Sequence, residues 1–305
     1  MPEFSGSRLD VYLAARLHRH SRAKVQGLIS AGRVYFRGKP AKPAARVLAG
    51  ERIIIRYPAG TDAPARHASL EVLYEDEELL AVNKPGDVLS HPTDKAANNS
   101  VTVILSKQFP QGRHFLAHRL DRETSGVLLL AKSSTAAARL QEQFAGRRIK
   151  KEYWAIVSGN ARFKRKIVDA PLGYDEHEIR VRQKVCLGSE GHPAVTHFYA
   201  LALTEKASLI RAVPKTGRLH QIRAHLAWLG LPILGDKLYM GNGEVYLKAW
   251  RKQLQEVDLK ALGAKRQMLH ARNLKLSHPL SGKQIDITAP IPEDFAECLT
   301  LSGLD

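Results

Sequence analysis

His118-Arg119-Leu120-Asp121-Arg122-Glu123-Thr124-Ser125-Gly126 runs directly into Val127-Leu128-Leu129-Leu130-Ala131. A polar turn holding one acid between two arginines leads into an unbroken apolar run of strand length. Such a run reads as an apolar strand. A guanidinium near a carboxylate favours the ionised form. Asp121 is therefore expected to be charged throughout the physiological range. That state suits attack on an electron-poor carbon, or stabilisation of positive charge, better than proton donation. A surface turn with ion pairs would use the same residue types.

The rest of the chain bounds these readings. Its 305 residues suggest one large or two ordinary domains, and an apolar fraction of 44% supports a packed core. The net charge of +17 points to a polyanionic partner, with nucleic acid ahead of an acidic membrane surface. No apolar run approaches the length of a membrane helix, and charges interrupt residues 1–30, so neither a membrane span nor a signal peptide is expected. Cys186 and Cys298 lie far apart without paired spacing. No zinc site or disulfide framework is expected, which fits a reducing cytoplasm.

Residues 1–66 hold 13 Lys/Arg against 4 Asp/Glu, more than half of the net charge. Leu9, Tyr12, Leu13 and Leu17 recur at helical spacing. Ser21 is placed to cap a second helix that Gly32 would end. Arg33–Lys39 reads as a strand and tight turn, and Arg52–Arg56 as a further strand. The expected organisation is a basic unit over 1–57, a Pro/Gly-rich linker over 58–69 and a second domain over 70–305.

In the second domain, Leu79–Asn83 reads as a buried strand stopped by Lys84-Pro85-Gly86. Lys151–Gly159 alternates in type, placing Tyr153, Ala155 and Val157 on one strand face. Arg147, Arg148, Lys150 and Lys151 form a basic cluster suited to a phosphate backbone. Leu219, Ile222, Leu226 and Leu229 make a helical apolar stripe, with Thr216-Gly217 at its start and Gly230 at its end. Arg223 borders that stripe. A half-buried arginine needs an acid, and Asp121 is the first candidate. His220, His225 and Asp236 are expected in hydrogen bonds rather than around a metal.

The 118–126 string resembles the signature of the RluA branch of the pseudouridine synthases. Three further segments resemble that family in the same order: Lys151–Gly159, Lys215–Tyr239 and Leu269–Pro279. The resemblance implies an α+β fold with a mixed, largely antiparallel central sheet and flanking helices. It implies isomerisation of uridine to pseudouridine in RNA, with no cofactor or metal. Asp121 would be the catalytic residue and Arg223 its paired arginine, with Arg218 as the fallback for that pairing and otherwise an RNA contact. Tyr153 would stack on the base and could assist proton removal. Arg119 would fill the gap left by the extruded nucleotide. Leu269 would wall the base pocket, Lys84 would organise the site or meet phosphate, and His220 would face the RNA. Whether Asp121 attacks sugar or base, or abstracts a sugar proton, stays open.

Residues 7–57 resemble an S-four-like RNA-binding domain, on Arg8-Leu9-Asp10, Ser21-Arg22, Ile29–Val34, Gly38-Lys39 and Gly50–Ile53. That resemblance makes Arg22, Lys24 and Arg33 RNA contacts. The expected substrate is large-subunit ribosomal RNA, with transfer RNA as the alternative, and the expected state is a monomer. A non-catalytic RNA-binding protein and a hydrolase are the rival readings. Residues 241–266 depart most from the family pattern, and Tyr246–Arg251 reads there as an inserted helix.

Overall fold

The computed structural model describes residues 6–17, 21–56, 67–93, 98–175, 179, 181–186, 188, 191–251 and 253–305. The chain forms two compact units, residues 1–62 with 93–98, and residues 63–92 with 99–305. Most of the linker expected at 58–69 lies outside the described residues.

The first unit runs α1 (Leu9–Arg16), α2 (Arg22–Ser30), β1 (Val34–Phe36), β2 (Lys39–Pro40) and β3 (Ile53–Ile55). Ser21 Oγ accepts the Lys24 N–H at 3.3 Å, the cap that the sequence implies. Arg37 and Gly38 both take positive φ, 54° and 73°, making the two-residue reversal between β1 and β2. Leu9, Leu13, Val25, Ile29, Val34, Phe36 and Val47 form the core. Asp10 is fully buried beside them. It accepts bonds from Arg8, Arg22 and Gln26, which hold its carboxyl well below the usual range despite burial.

The second unit opens with β4 (Glu71–Glu75), β5 (Leu79–Lys84), α3 (Val101–Gln108), β6 (Phe115–Leu116), β7 (Ser125–Ala131) and α4 (Ser134–Ala145). It continues with β8 (Lys150–Ser158), β9 (Arg165–Asp169), β10 (Leu172–Tyr174), β11 (Gln183–Val185), β12 (Val195–Leu203), β13 (Ala207–Pro214) and α5 (Gln221–Trp228). It ends with α6 (Glu244–Trp250), α7 (Glu256–Ala261), β14 (Leu269–Ser277), β15 (Gln284–Thr288) and α8 (Glu293–Leu301). Among the described residues a ten-stranded sheet has the order β4-β5-β7-β14-β8-β13-β12-β9, with β15 on β14 and β6 on β7. Every described pairing in it is antiparallel except β7 with β14. This is the mixed, largely antiparallel sheet expected.

The buried run of the opening motif is β7. Its alternation sends Leu128 and Leu130 into one core with Leu80, Val82 and Leu105. Val127 and Leu129 enter another with Leu79, Leu140 and Leu274. Both faces are covered, so no polar alternation survives in the sequence. Gly126 has φ 106°, and a Cβ there would run into the Ala271 backbone on β14. Glycine is what lets these two paired strands approach so closely.

The helix expected from Thr216-Gly217 starts later, at Gln221. His220 is left-handed, with φ 55°, and breaks the regular run before it. Thr216 Oγ1 and the Arg218 N–H both donate to Gln221 Oε1, which fixes residues 216–220 as a turn. Leu219 is consequently 40% exposed instead of joining the core stripe. Gly230, at φ 75°, follows the helix end as expected. Residues 244–250 do form the helix expected in the divergent segment. Among the described residues, no helix is long and apolar enough to cross a membrane.

Candidate active site

Asp121 sits in the turn that feeds β7, and its neighbours are pinned from both sides. Ser90 Oγ donates to the Leu120 carbonyl at 2.9 Å and accepts the Leu120 N–H at 3.0 Å. Lys84 Nζ donates to the Arg122 carbonyl at 2.9 Å, and also to Pro85 and Val88. The turn closes with the Thr124 N–H donating to the Asp121 carbonyl.

Lys84 is 0% exposed. Its three carbonyl partners tie the segment 85–88 to the turn at Arg122. Burial, with Arg266 nearby, pulls its pKa down to about 7, against the pull of Asp121 and Asp87. Sequence reasoning missed Ser90 altogether, since nothing local marks one serine as the anchor of a residue thirty positions away.

The Asp121 carboxylate meets Arg223, with Nη1 2.7 Å from Oδ2. Arg223, not Arg218, is thus the paired arginine. Its main partner is nevertheless Asp236, which takes Nε at 2.7 Å and Nη2 at 2.9 Å in a fork. Asp236 is fully buried and also accepts the Leu238 and Tyr239 N–H groups. The Tyr239 ring lies 5.1 Å under the guanidinium. Burial disfavours the charge on Arg223, but Asp236 and then Asp121 outweigh it and raise its pKa further.

Burial pushes the Asp121 carboxyl up, while Arg223, His220 and finally Arg119 pull it down, leaving a net depression. The two arginines adjacent in sequence are not the main cause. Arg122 turns away, its Nε donating to the Asp87 carbonyl at 3.4 Å. His220 Nε2 stands 3.9 Å from Asp121 Oδ2. Burial and Arg223 lower its pKa to about 4, so the ring is neutral near pH 7.

A cavity of about 310 Å³ opens on Asp121. Tyr153, Leu269, Ile222 and Thr124 line it with Arg119, Arg218, His220 and Arg223. Tyr153 and Leu269 arrive on the adjacent strands β8 and β14. Burial, with Asp121 adding to it, raises the Tyr153 phenol above its ordinary range, so it keeps its proton. Arg119 is exposed at the mouth. His225, by contrast, bonds to Thr196 Oγ1 and the Ala170 carbonyl. Among the described residues, no His/Cys/Asp/Glu group could hold a metal ion.

Arg22, Lys24 and Arg33 belong to the first unit. Arg22 gives its Nε to Asp10 with about half of its side chain exposed, Lys24 is exposed, and Arg33 is half-buried. Asp121, Tyr153, Arg223, Arg119, Arg218, His220 and Leu269 therefore meet around one cavity, which Lys84 does not line.

The RNA pseudouridylate synthase family matches residues 78–228, and the S4 domain matches residues 7–53. The chain is 34% identical to the ribosomal large subunit pseudouridine synthase D of Haemophilus influenzae, over all of this chain and 94% of that one. It is 30% identical to an uncharacterized RNA pseudouridine synthase of Bacillus subtilis, over 97% and 94%. Its fold overlays human RNA pseudouridylate synthase domain containing 4 with a TM-score of 0.60, at 27% identity over 75% of this chain and 92% of that one. With the sequence match extending over the whole of this cavity-bearing unit, the chain belongs to the RluA family of RNA pseudouridine synthases, isomerases of uridine, and carries an S4 RNA-binding domain ahead of its catalytic unit.

Proposed function

We propose that this isomerase acts on uridines of large-subunit ribosomal RNA, with Asp121 as the catalytic group and the target nucleoside swung out of its stack. The observation that carries the reading is one carboxylate, ionised by Arg223, opening on a cavity walled by Tyr153 and Leu269. The substrate class rests on the names of the full-length relatives and on the S4 domain.

In this reaction the N1–C1′ bond breaks, the uracil turns, and C5 bonds to C1′. C5 then loses a proton and N1 gains one. Atoms and electrons balance within the nucleoside, so the chemistry calls for no co-reactant. Asp121 presents a charged oxygen to the ribose and base. Arg223 fixes that oxygen's direction, and the fork to Asp236 fixes Arg223. Tyr153, a neutral phenol, supplies a stacking face beside the carboxylate. Extruding a stacked base costs a few kcal/mol. The exposed Arg119 guanidinium, planar and at the mouth, offsets part of that cost by stacking in the gap. The S4 domain adds salt-dependent affinity and helps choose the site.

Pseudouridine mapping of all RNA, with and without the protein, tests the substrate. The reading expects signals lost from large-subunit ribosomal RNA. Signals lost only from transfer RNA would replace the substrate, and a map with no loss would remove the reading.

A further inference from the structure

A second basin adjoins the catalytic cavity and shares Lys151, Thr216, Gly217 and Arg218 with it. Its volume is about 360 Å³. Four cations line it, Arg147, Lys151, Lys215 and Arg218, and no acidic side chain does. Among the described residues none of the four meets a carboxylate. Lys151 Nζ has only the Thr216 carbonyl at 3.4 Å, and Arg218 Nε has the Pro193 carbonyl. Some cations elsewhere in this unit do pair with acids, such as Lys132 with Glu75, Lys237 with Glu123, Arg266 with Asp294 and Lys275 with Asp286; what sets the basin apart is that four cations line it together with no acid among them. Four cations around one concave basin, with no carboxylate among its lining, make it a favourable place for an anion.

Two local features point the same way. Arg147 follows α4 with φ 56° and closes the helix as a glycine ordinarily would, its N–H donating to the Phe144 carbonyl. Left-handed backbone is unfavourable for any residue with a Cβ, so an arginine there trades stability for its position. Gly217 is the second feature: a Cβ there would stand 3.3 Å from Lys151 Nζ and crowd the ammonium.

We infer that this basin holds the backbone phosphate of the RNA strand flanking the extruded uridine. The inference rests on the nucleoside reading of the adjoining cavity and adds a subsite to it. Continuity with that cavity favours a phosphodiester of the same strand over a free anion. Sequence alone had grouped Arg147 and Lys151 with Arg148 and Lys150. The fold leaves the latter two out of the basin and brings in Lys215 and Arg218.

The test uses Arg147→Gly and Lys215→Gln, neither of which lines the catalytic cavity. The probe is a short oligocytidylate with one central uridine, intact or carrying a single neutral methylphosphonate linkage at each position in turn. Each substitution should weaken binding by about tenfold, the worth of one charge-assisted bond. Each should also lower the salt slope of affinity by about 1 and leave the single-turnover rate at saturating RNA unchanged. Arg147→Gly should at the same time melt higher than wild type, which a merely structural arginine would not give. One methylphosphonate beside the uridine should weaken the wild type more than it weakens Lys215→Gln, which has one cation fewer to lose contact with that phosphate. Unchanged affinity and salt slope in both variants, or equal effects at every linkage, would overturn the subsite. If binding behaves as expected but Asp121→Asn forms pseudouridine in ribosomal RNA as fast as wild type, the subsite stands and the reading of the neighbouring cavity falls.

Discussion

Replacing Asp236 with asparagine should damage stability and turnover together, although Asp236 does not line the cavity. Its Oδ2 takes Arg223 Nε, while Oδ1 takes Arg223 Nη2 and two backbone N–H groups. An asparagine oxygen can keep the Oδ1 bonds, but its amide then faces Arg223 Nε, donor against donor. Breaking a buried ion pair costs about 3–5 kcal/mol. Asp121 remains as a counter-ion on Nη1, so the low end applies, about 3 kcal/mol. For a unit of this size the unfolding entropy is roughly 0.5 kcal/mol per kelvin, giving a melting point lower by about 6 °C. The guanidinium also loses the fork that aims it, and Asp121 loses its orientation. Small displacements of reacting groups cost on the order of 100-fold in rate. Thermal melting by circular dichroism and single-turnover pseudouridine formation measure the two effects. A variant melting within about 1 °C of wild type, with undiminished turnover, would refute the claim that Asp236 holds Arg223.

Acid should destabilise the fold steeply. Burial holds His118 at about 3, His220 at about 4 and His270 at about 4, while an unfolded histidine titrates near 6.5. Between pH 6.5 and those folded values the unfolded chain binds more protons. Stability therefore falls as pH drops through that window, by up to about 1.4 kcal/mol per pH unit for each histidine. Melting points that stay level from pH 6.5 to 4.5 would contradict this. Deleting residues 1–60 should weaken RNA binding and flatten its salt dependence far more than it slows saturated single turnover. Unchanged affinity and site choice in the truncated protein would deny the S4 domain its role.

The sequence revealed partners more readily than geometry. Asp121 and Arg223 could be paired because a half-buried arginine demands an acid and the chain offered one in a matching segment. For Asp236, the stronger partner, the sequence implies a hydrogen bond but not with which group; the arginine's second edge is the signal that points to it. Period-two alternation gives the strand face that Tyr153 shares with Ala155 and Val157, while in the sequence only the family resemblance points to its place at the cavity. The start of α5 was misplaced because one left-handed residue, His220, interrupts an apolar stripe that otherwise fits a longer helix. Lys84 carries the charge of a phosphate contact, and its burial under three carbonyls was not legible. Ser90 left no trace, since its bonds join Leu120 across thirty residues.

The most direct test is Asp121→Asn, which keeps the shape of the side chain and removes its charge. RNA affinity measured beside pseudouridine yield should show binding near that of wild type and no detectable product. Turnover in that variant at anything close to the wild-type rate would contradict the central role given to the carboxylate.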